Sequence, residues 1–79
     1  MYDNKIINDE ITIYPNPVNS ILKIDGEFTN AKIYDLKGKL IMESSESVID
    51  VSQLPKSIYI IKVIANEESV VKTLKLIKE

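Results

Sequence analysis

Ile11-Thr12-Ile13-Tyr14-Pro15-Asn16-Pro17-Val18 joins a short alternating strand to a rigid proline corner. Pro15 and Pro17 each hold φ near about −65° and push the preceding residue out of the helical region. Neither proline has an N–H group, so the corner does not fit the interior of a paired strand. Asn16 lies between them and can hydrogen-bond its own backbone, which is typical of a tight turn. The stretch therefore predicts a strand that ends in a fixed bend.

A period of two continues from this corner through the rest of the chain. Gly38 follows the third predicted strand in a turn over residues 35–39, where a positive φ and a β-hairpin are expected. The run 57–65 is apolar on both phases, which indicates a central strand or burial on both faces. Residues 66–69 are predicted to turn. Seven short strands with regular turns indicate an antiparallel β-sandwich without a long helix, the strands being 11–14, 21–24, 31–35, 40–42, 48–51, 57–65 and 70–77.

Composition excludes several classes of function. The 79 residues allow one small domain, and the 44% hydrophobic content is typical of a folded chain. No cysteine and no histidine are present, so disulfides, thiolate zinc sites and the commonest general base are all absent. All ten basic residues are lysines and the net charge is −2, which argues against binding to nucleic acid as the function of this chain. No apolar run is long enough to span a membrane, and a signal peptide would have to lie in a longer precursor.

Few residues offer chemistry that an enzyme needs. The serines have no histidine partner, and the paired carboxylates are best interpreted as solvated charges. Calcium is considered at Asp25-Gly26-Glu27, whose spacing matches no dedicated oxygen-ligand loop. The sequence therefore predicts no catalytic residue, no cofactor and no metal ligand.

Tyrosines and lysines offer more choices. Tyr59 is predicted to be in the core with its hydroxyl group hydrogen-bonded, and Tyr34 to face away from Ile33. Tyr14 either packs as a lid on the corner or stands exposed for recognition. Three lysines in the last strand either discourage edge pairing or form a basic handle for an acidic partner, namely Lys72, Lys75 and Lys78. Exposed edges also predict weak dimerisation or strand exchange.

Three stretches in this order resemble the type A C-terminal sorting domain of the type IX secretion system of Bacteroidota. They are the corner with the strand after it, the stretch 31–41 around Asp35 and Gly38, and the stretch 49–63. A lysine-bearing strand follows them. The resemblance covers residues 11–79, leaving 1–10 as a linker from an upstream cargo. The family's elements carry over onto Tyr14, Pro15, Asn16, Pro17, Asp35, Gly38, Leu54, Pro55, Tyr59 and the terminal lysines.

The resemblance implies a seven-stranded immunoglobulin-like sandwich that is a sorting signal and not an enzyme. Such domains direct cargo from the periplasm through an outer-membrane translocon. A sortase-like cysteine protease at the cell surface then commonly removes them, leaving the cargo at the outer-membrane surface or outside the cell. The alternative from another class is a carbohydrate-binding or adhesion module of a secreted enzyme, which would stay attached to its protein.

One position departs from the family pattern. Ser57 stands where the family usually has glycine before the Ile-Tyr pair of the sixth strand. If that position required a positive φ, serine would cost about 1 kcal/mol or more in backbone strain. The sequence therefore leaves the local turn open.

Overall fold

The computed structural model describes residues 11–65 and 71–79, which form two antiparallel sheets packed face to face. One sheet has three strands and the other has four. This is the predicted seven-stranded sandwich of the immunoglobulin-like kind. No helix that could span a membrane occurs in the described ranges. The strands are β1 (Thr12–Tyr14), β2 (Ile21–Asp25), β3 (Phe28–Tyr34), β4 (Leu40–Ser44), β5 (Val48–Asp50), β6 (Ser57–Ala65) and β7 (Val71–Lys78). The three-stranded sheet has the order β1-β2-β5, and the four-stranded sheet has the order β4-β3-β6-β7.

The core lies between the two sheets and follows the alternation of the sequence. Leu22 and Ile24 point inward from β2, while Ala31 and Ile33 point inward from β3. Both pairs share a face as predicted, because successive side chains of a strand alternate between its two sides. Other buried members of this apolar cluster are Ile11, Val18, Ile49, Val51, Leu54, Tyr59, Ile61, Val63 and Leu76.

Strand β6 lies between β3 and β7, which confirms its predicted central position. Burial on both faces, the other option, is wrong. Tyr59, Ile61 and Val63 are buried against the other sheet, whereas Ile58 is 39% exposed and Ile60 half-buried on the opposite face. The reason is that none of the seven described strands forms a third layer over that face.

The hairpin between β3 and β4 closes as predicted. Gly38 has φ +91°, and its N–H group donates to the carbonyl of Asp35 at 3.0 Å. The Asp35 carboxylate accepts hydrogen bonds from the N–H groups of Lys39 and Lys37, each at 2.9 Å. The bond from Lys39, with that from Lys37 and the two lysine charges, holds the pKa of Asp35 below its usual range. The turn is thus fixed by one carboxylate and one glycine.

Gly38→Val should destabilise the domain by roughly 1–2 kcal/mol, because a β-branched residue resists this φ. No atom lies within 4 Å of a Cβ placed there, so the loss should come from the backbone conformation and not from a clash. Denaturant unfolding measures the difference. Gly38→Asn is the matched control and should lose less, since asparagine tolerates positive φ better. Equal stability of Gly38→Val and the parent would contradict the assignment.

Ser57 opens β6, where it pairs with Lys78. This is extended backbone, which any residue adopts, so the departure from glycine requires no positive φ here. Two further expectations, the linker over 1–10 and the turn over 66–69, lie outside the described residues.

Candidate recognition surface

The proline corner lies beside the C-terminal half of β7. Val18 donates its N–H group to the carbonyl of Ile77 at 2.8 Å, and its carbonyl accepts from the N–H group of Glu79 at 2.8 Å. This makes a parallel bridge between Val18 and Lys78, and the Val18 side chain is fully buried. The corner, which leaves the three-stranded sheet after β1, therefore ends as a cap on the edge of the four-stranded sheet.

Asn16 joins the same edge through its side chain. Its Nδ2 donates to the carbonyl of Lys75 at 2.8 Å, and its Oδ1 accepts from the N–H group of Ile77 at 2.9 Å. One amide thus supplies both a donor and an acceptor, as the backbone of a neighbouring strand would. The expected bond to its own backbone is replaced by these contacts, because β7 turns alternate backbone groups outward toward the corner. The peptide bonds before Pro15 and Pro17 are both cis.

The outside of the corner is open to solvent. Tyr14 is 49% exposed, and Pro15 and Pro17 are exposed as well. Of the two alternatives for Tyr14, the structure therefore shows an exposed side chain and not one that packs over the corner as a lid. This side chain lies on the outward face of β1, opposite Lys23 of β2. The corner accordingly has one side that braces β7 and one that presents apolar rings.

The three lysines of β7 do not form a common exposed handle. Lys75 is exposed and Lys72 half-buried, but Lys78 is only 8% exposed, so its prediction as an exposed recognition residue is wrong. Lys78 falls on the inward phase with Leu74 and Leu76, and its Nζ donates to the Glu79 carbonyl at 3.0 Å. Its aliphatic stem therefore packs at the end of the sandwich.

The corner also limits where β7 can pair with another chain. The hydrogen bonds of Asn16 and Val18 to this strand run from Lys75 to Glu79. Because a covered edge offers few unpaired backbone groups, this end of β7 is poorly placed for the expected weak dimerisation. Self-association stays a prediction.

The remaining motif residues hold the loop before β6. Tyr59 is 4% exposed and donates its hydroxyl group to the carbonyl of Pro55 at 2.7 Å, which confirms its predicted core position. Leu54 is buried, and its N–H group donates to the carbonyl of Val51 at 3.0 Å. Asp50 accepts from the N–H group of Ser52, and hydrogen bonding from Ser52 lowers the pKa of this carboxyl group. These contacts are structural.

Chemical groups do not converge in the described part of the chain. Across residues 11–65 and 71–79, no three acidic side chains lie close enough together to hold a metal ion. Among the described residues, no third carboxylate lies beside Asp25 and Glu27, where the sequence suggested a calcium site to consider. What the sequence missed is the pairing of the corner with β7, since nothing in a separation of 59 residues signals it.

A family model described as a secretion system C-terminal sorting domain matches residues 12–79. The chain belongs to this family. The match covers all seven strands, including the corner and β7 that bind each other. The sorting role predicted from the motifs is therefore confirmed, and export of the protein that carries this sorting domain follows from it. The family's role is sorting, and no described feature points to catalysis.

Two similar proteins extend this result. The sorting domain is 33% identical over 58 residues to β-agarase D of Zobellia galactanivorans, covering 70% of this chain and 12% of the agarase. It also resembles the structure of PorZ, described as an essential surface component of the type IX secretion system of Porphyromonas gingivalis. That likeness has a TM-score of 0.69 at 16% identity, over 90% of this chain and 12% of PorZ, and it shows the fold. The chain spans about an eighth of each relative.

Proposed function

We propose that this domain carries a protein joined upstream of it through the outer-membrane translocon of a type IX secretion system. Family membership supports the sorting role. The specific machinery is inferred from the type IX resemblance of the corner, the hairpin and the last strand. The translocon would bind exposed side chains of the domain and not a pocket, because no catalytic or cofactor site is indicated in the described residues.

The recognised feature in this proposal is the corner together with the strand it caps. Asn16 bonds both Lys75 and Ile77, so two stretches separated by about 60 residues form one continuous surface. Pro15, Pro17 and Lys75 are exposed around this junction, and Tyr14 is exposed on the outward face of β1, where the corner begins. This juxtaposition is the observation that supports the proposal most directly. Lys72 and Lys78 lie on the inward phase of β7, so the lysine contribution rests on Lys75.

The fate of the cargo follows the same proposal. After passage through the periplasm, a sortase-like protease at the cell surface cuts in or near residues 1–10. The cargo then remains at the outer-membrane surface or is released outside. The cleavage region precedes the first described residue, Ile11, which is buried in the core. A cut upstream of Ile11 would leave the folded sorting domain intact.

An export assay tests the proposal. Residues 1–79 are fused to a periplasm-directed fluorescent protein in a host with this secretion system. The parent fusion should reach the outside, and Tyr14→Ala with Lys75→Gln should lower export about tenfold, as expected when exposed contact residues at the centre of an interface are truncated. Folding should be little affected, because an exposed charge such as that of Lys75 contributes little to stability and the Tyr14 ring, 49% exposed, lies outside the core cluster.

The matched control is Leu36→Ala with Lys37→Gln, which changes one exposed apolar residue and one exposed lysine in the hairpin turn between β3 and β4. It should be exported like the parent. A parent fusion that folds but stays in the periplasm would overturn the type IX assignment and favour the adhesion module. Equal export of the test and control variants would remove the corner as the recognised surface.

A further inference from the structure

The outward face of the four-stranded sheet combines lysines with apolar side chains. One row across the strands runs from Leu40 through Tyr34 and Ile60 to Lys75, and the next pairs Lys32 with Lys62. These residues share the face because their neighbours along each strand, such as Ile33, Ile61 and Leu76, point into the core. We call this surface the lysine face: Lys32, Lys62, Lys75, Tyr34, Leu40 and Ile60.

Apolar groups on the lysine face are incompletely covered. Leu40 is 45% exposed, while Tyr34 and Ile60 are half-buried. Ile58, 39% exposed, and the half-buried Ile77 extend this apolar area along β6 and β7 as a cross-strand pair. None of the seven described strands packs over them. Contiguous exposed apolar area of this kind is typical of an interaction site.

Charge on this face opposes the charge of the whole chain. Lys32 lies directly opposite Lys62, and like charges in that position disfavour folding. Glu43 lies on the other side of Lys32, and its Oε2 already accepts from Asn30 at 2.7 Å. Lys62 Nζ is 5.4 Å from the centre of the Tyr34 ring. Three lysines against Glu43 make this face +2, whereas Lys23 with Asp25 and Asp50 makes the outward face of the other sheet −1.

We propose that the lysine face binds an acidic, partly apolar segment of a protein in the export machinery. The inference rests on the proposed function, and it adds the chemistry of the partner. Carboxylates on such a segment would relieve the repulsion between Lys32 and Lys62, and its apolar residues would cover the Leu40–Tyr34–Ile60 row. The acidic part of the segment would thus match the lysine charges, and its apolar part would match the exposed apolar side chains.

Two other occupants fit less well. A second copy applied face to face would set lysines against lysines, because a two-fold interface uses the same patch on both copies. A lipid surface requires apolar side chains that enter the headgroup region, whereas Tyr34 and Ile60 are half-buried in a sheet. Both remain outcomes that the experiments below detect.

Lys62→Glu separates binding from folding. A carboxylate at this position would face Lys32, and opposite charges across a strand pair favour folding. The change also removes the ammonium group from the Tyr34 ring, so the two effects offset each other and the denaturant midpoint should stay close to that of the parent. Export of the fluorescent fusion should nonetheless fall roughly tenfold, because a negative charge would meet the acidic partner.

Lys37→Glu makes the same charge change in the exposed turn between β3 and β4, away from both the lysine face and the corner, and should export normally. Export of Lys62→Glu at the parental level, or an equal loss in Lys37→Glu, would overturn this inference while the exported parent leaves the sorting role standing. A parent that is not exported would instead overturn the proposed function.

Photo-crosslinking identifies the partner. Benzoylphenylalanine replaces Ile60 in the exported fusion, or Ser45 in the exposed loop between β4 and β5 as the control. An adduct at position 60 and not at 45 should map to a protein peptide rich in carboxylates, and changing those carboxylates to lysine should restore export of Lys62→Glu. An adduct to a second copy, an adduct equal at both positions or no adduct would overturn the inference. So would binding of the purified chain to vesicles of equal phosphatidylcholine and phosphatidylglycerol that Lys62→Glu abolishes.

Discussion

A chain shortened to residues 1–75 should fail to fold. Leu76 is fully buried, and losing a buried leucine side chain costs about 2–5 kcal/mol. The deletion also removes three hydrogen bonds to the corner, from Ile77 to Asn16, from Val18 to Ile77 and from Glu79 to Val18. At about 0.5–1.5 kcal/mol each, they add a comparable loss. A domain of this size has only about 4–12 kcal/mol in total.

Circular dichroism and denaturant unfolding of the purified chain measure the effect. Removing Glu79 alone is the matched control, because it takes away one backbone bond to Val18 and the contact with Lys78. That variant should lose about 1 kcal/mol and stay folded. A chain of residues 1–75 with a cooperative transition near that of the parent would show that β7 is dispensable for the core.

This expectation changes how a truncation assay should be interpreted. From the sequence alone, loss of export on removing the last residues would indicate a signal carried by an otherwise intact fold. In the structure the same residues complete the core and hold the corner. Loss of export in such a variant would report loss of folding, so surface substitutions such as those at Tyr14 and Lys75 are the sharper test.

Asn16→Ala should destabilise the domain by roughly 1–3 kcal/mol. The change removes both the bond to the Lys75 carbonyl and the bond from the Ile77 N–H group, each worth about 0.5–1.5 kcal/mol. Denaturant unfolding gives the free-energy difference. Asn19→Ala is the matched control, because Asn19 is exposed and makes no side-chain hydrogen bond to the described residues. Equal losses in the two variants would contradict a bracing role for Asn16.

Asn16→Asp should make the contact between residue 16 and β7, and with it the stability of the domain, depend on pH. Both forms of the carboxyl group can accept from the Ile77 N–H group, so the contact that separates them is the one to the Lys75 carbonyl. The protonated form can donate to that carbonyl and the ionised form cannot, so the pKa of this carboxyl group should be higher in the folded than in the unfolded chain. Its stabilising contribution should be complete below the unfolded value of about 3.9 and should disappear as pH rises through the folded value. Stability of this variant relative to the parent should therefore improve on acidification. A difference that does not change with pH would argue against the bond to Lys75.

Local pattern in the sequence was enough for most of the fold. Alternation at Leu22 and Ile24 predicted the inward face of β2, and the turn around Gly38 predicted the hairpin. These features depend on φ preferences and on a side-chain period of two, which act over a few residues. Tyr59 was likewise predictable, because a tyrosine in an apolar strand is expected in the core with its hydroxyl group bonded. The motifs, in their order, were enough for the family.

Contacts between distant parts of the chain were decided by the tertiary structure. No local preference links Asn16 to Lys75 and Ile77, which meet because the corner returns along the open edge of β7. The same packing buries Lys78 at the end of β7. Lys72, which points to the same side at the other end of the strand, is only half-buried. Lys32 and Lys62 face each other only through the register of β3 with β6. Register is set by the whole hydrophobic pattern of both sheets, so these juxtapositions, unlike the strands themselves, required the assembled sandwich.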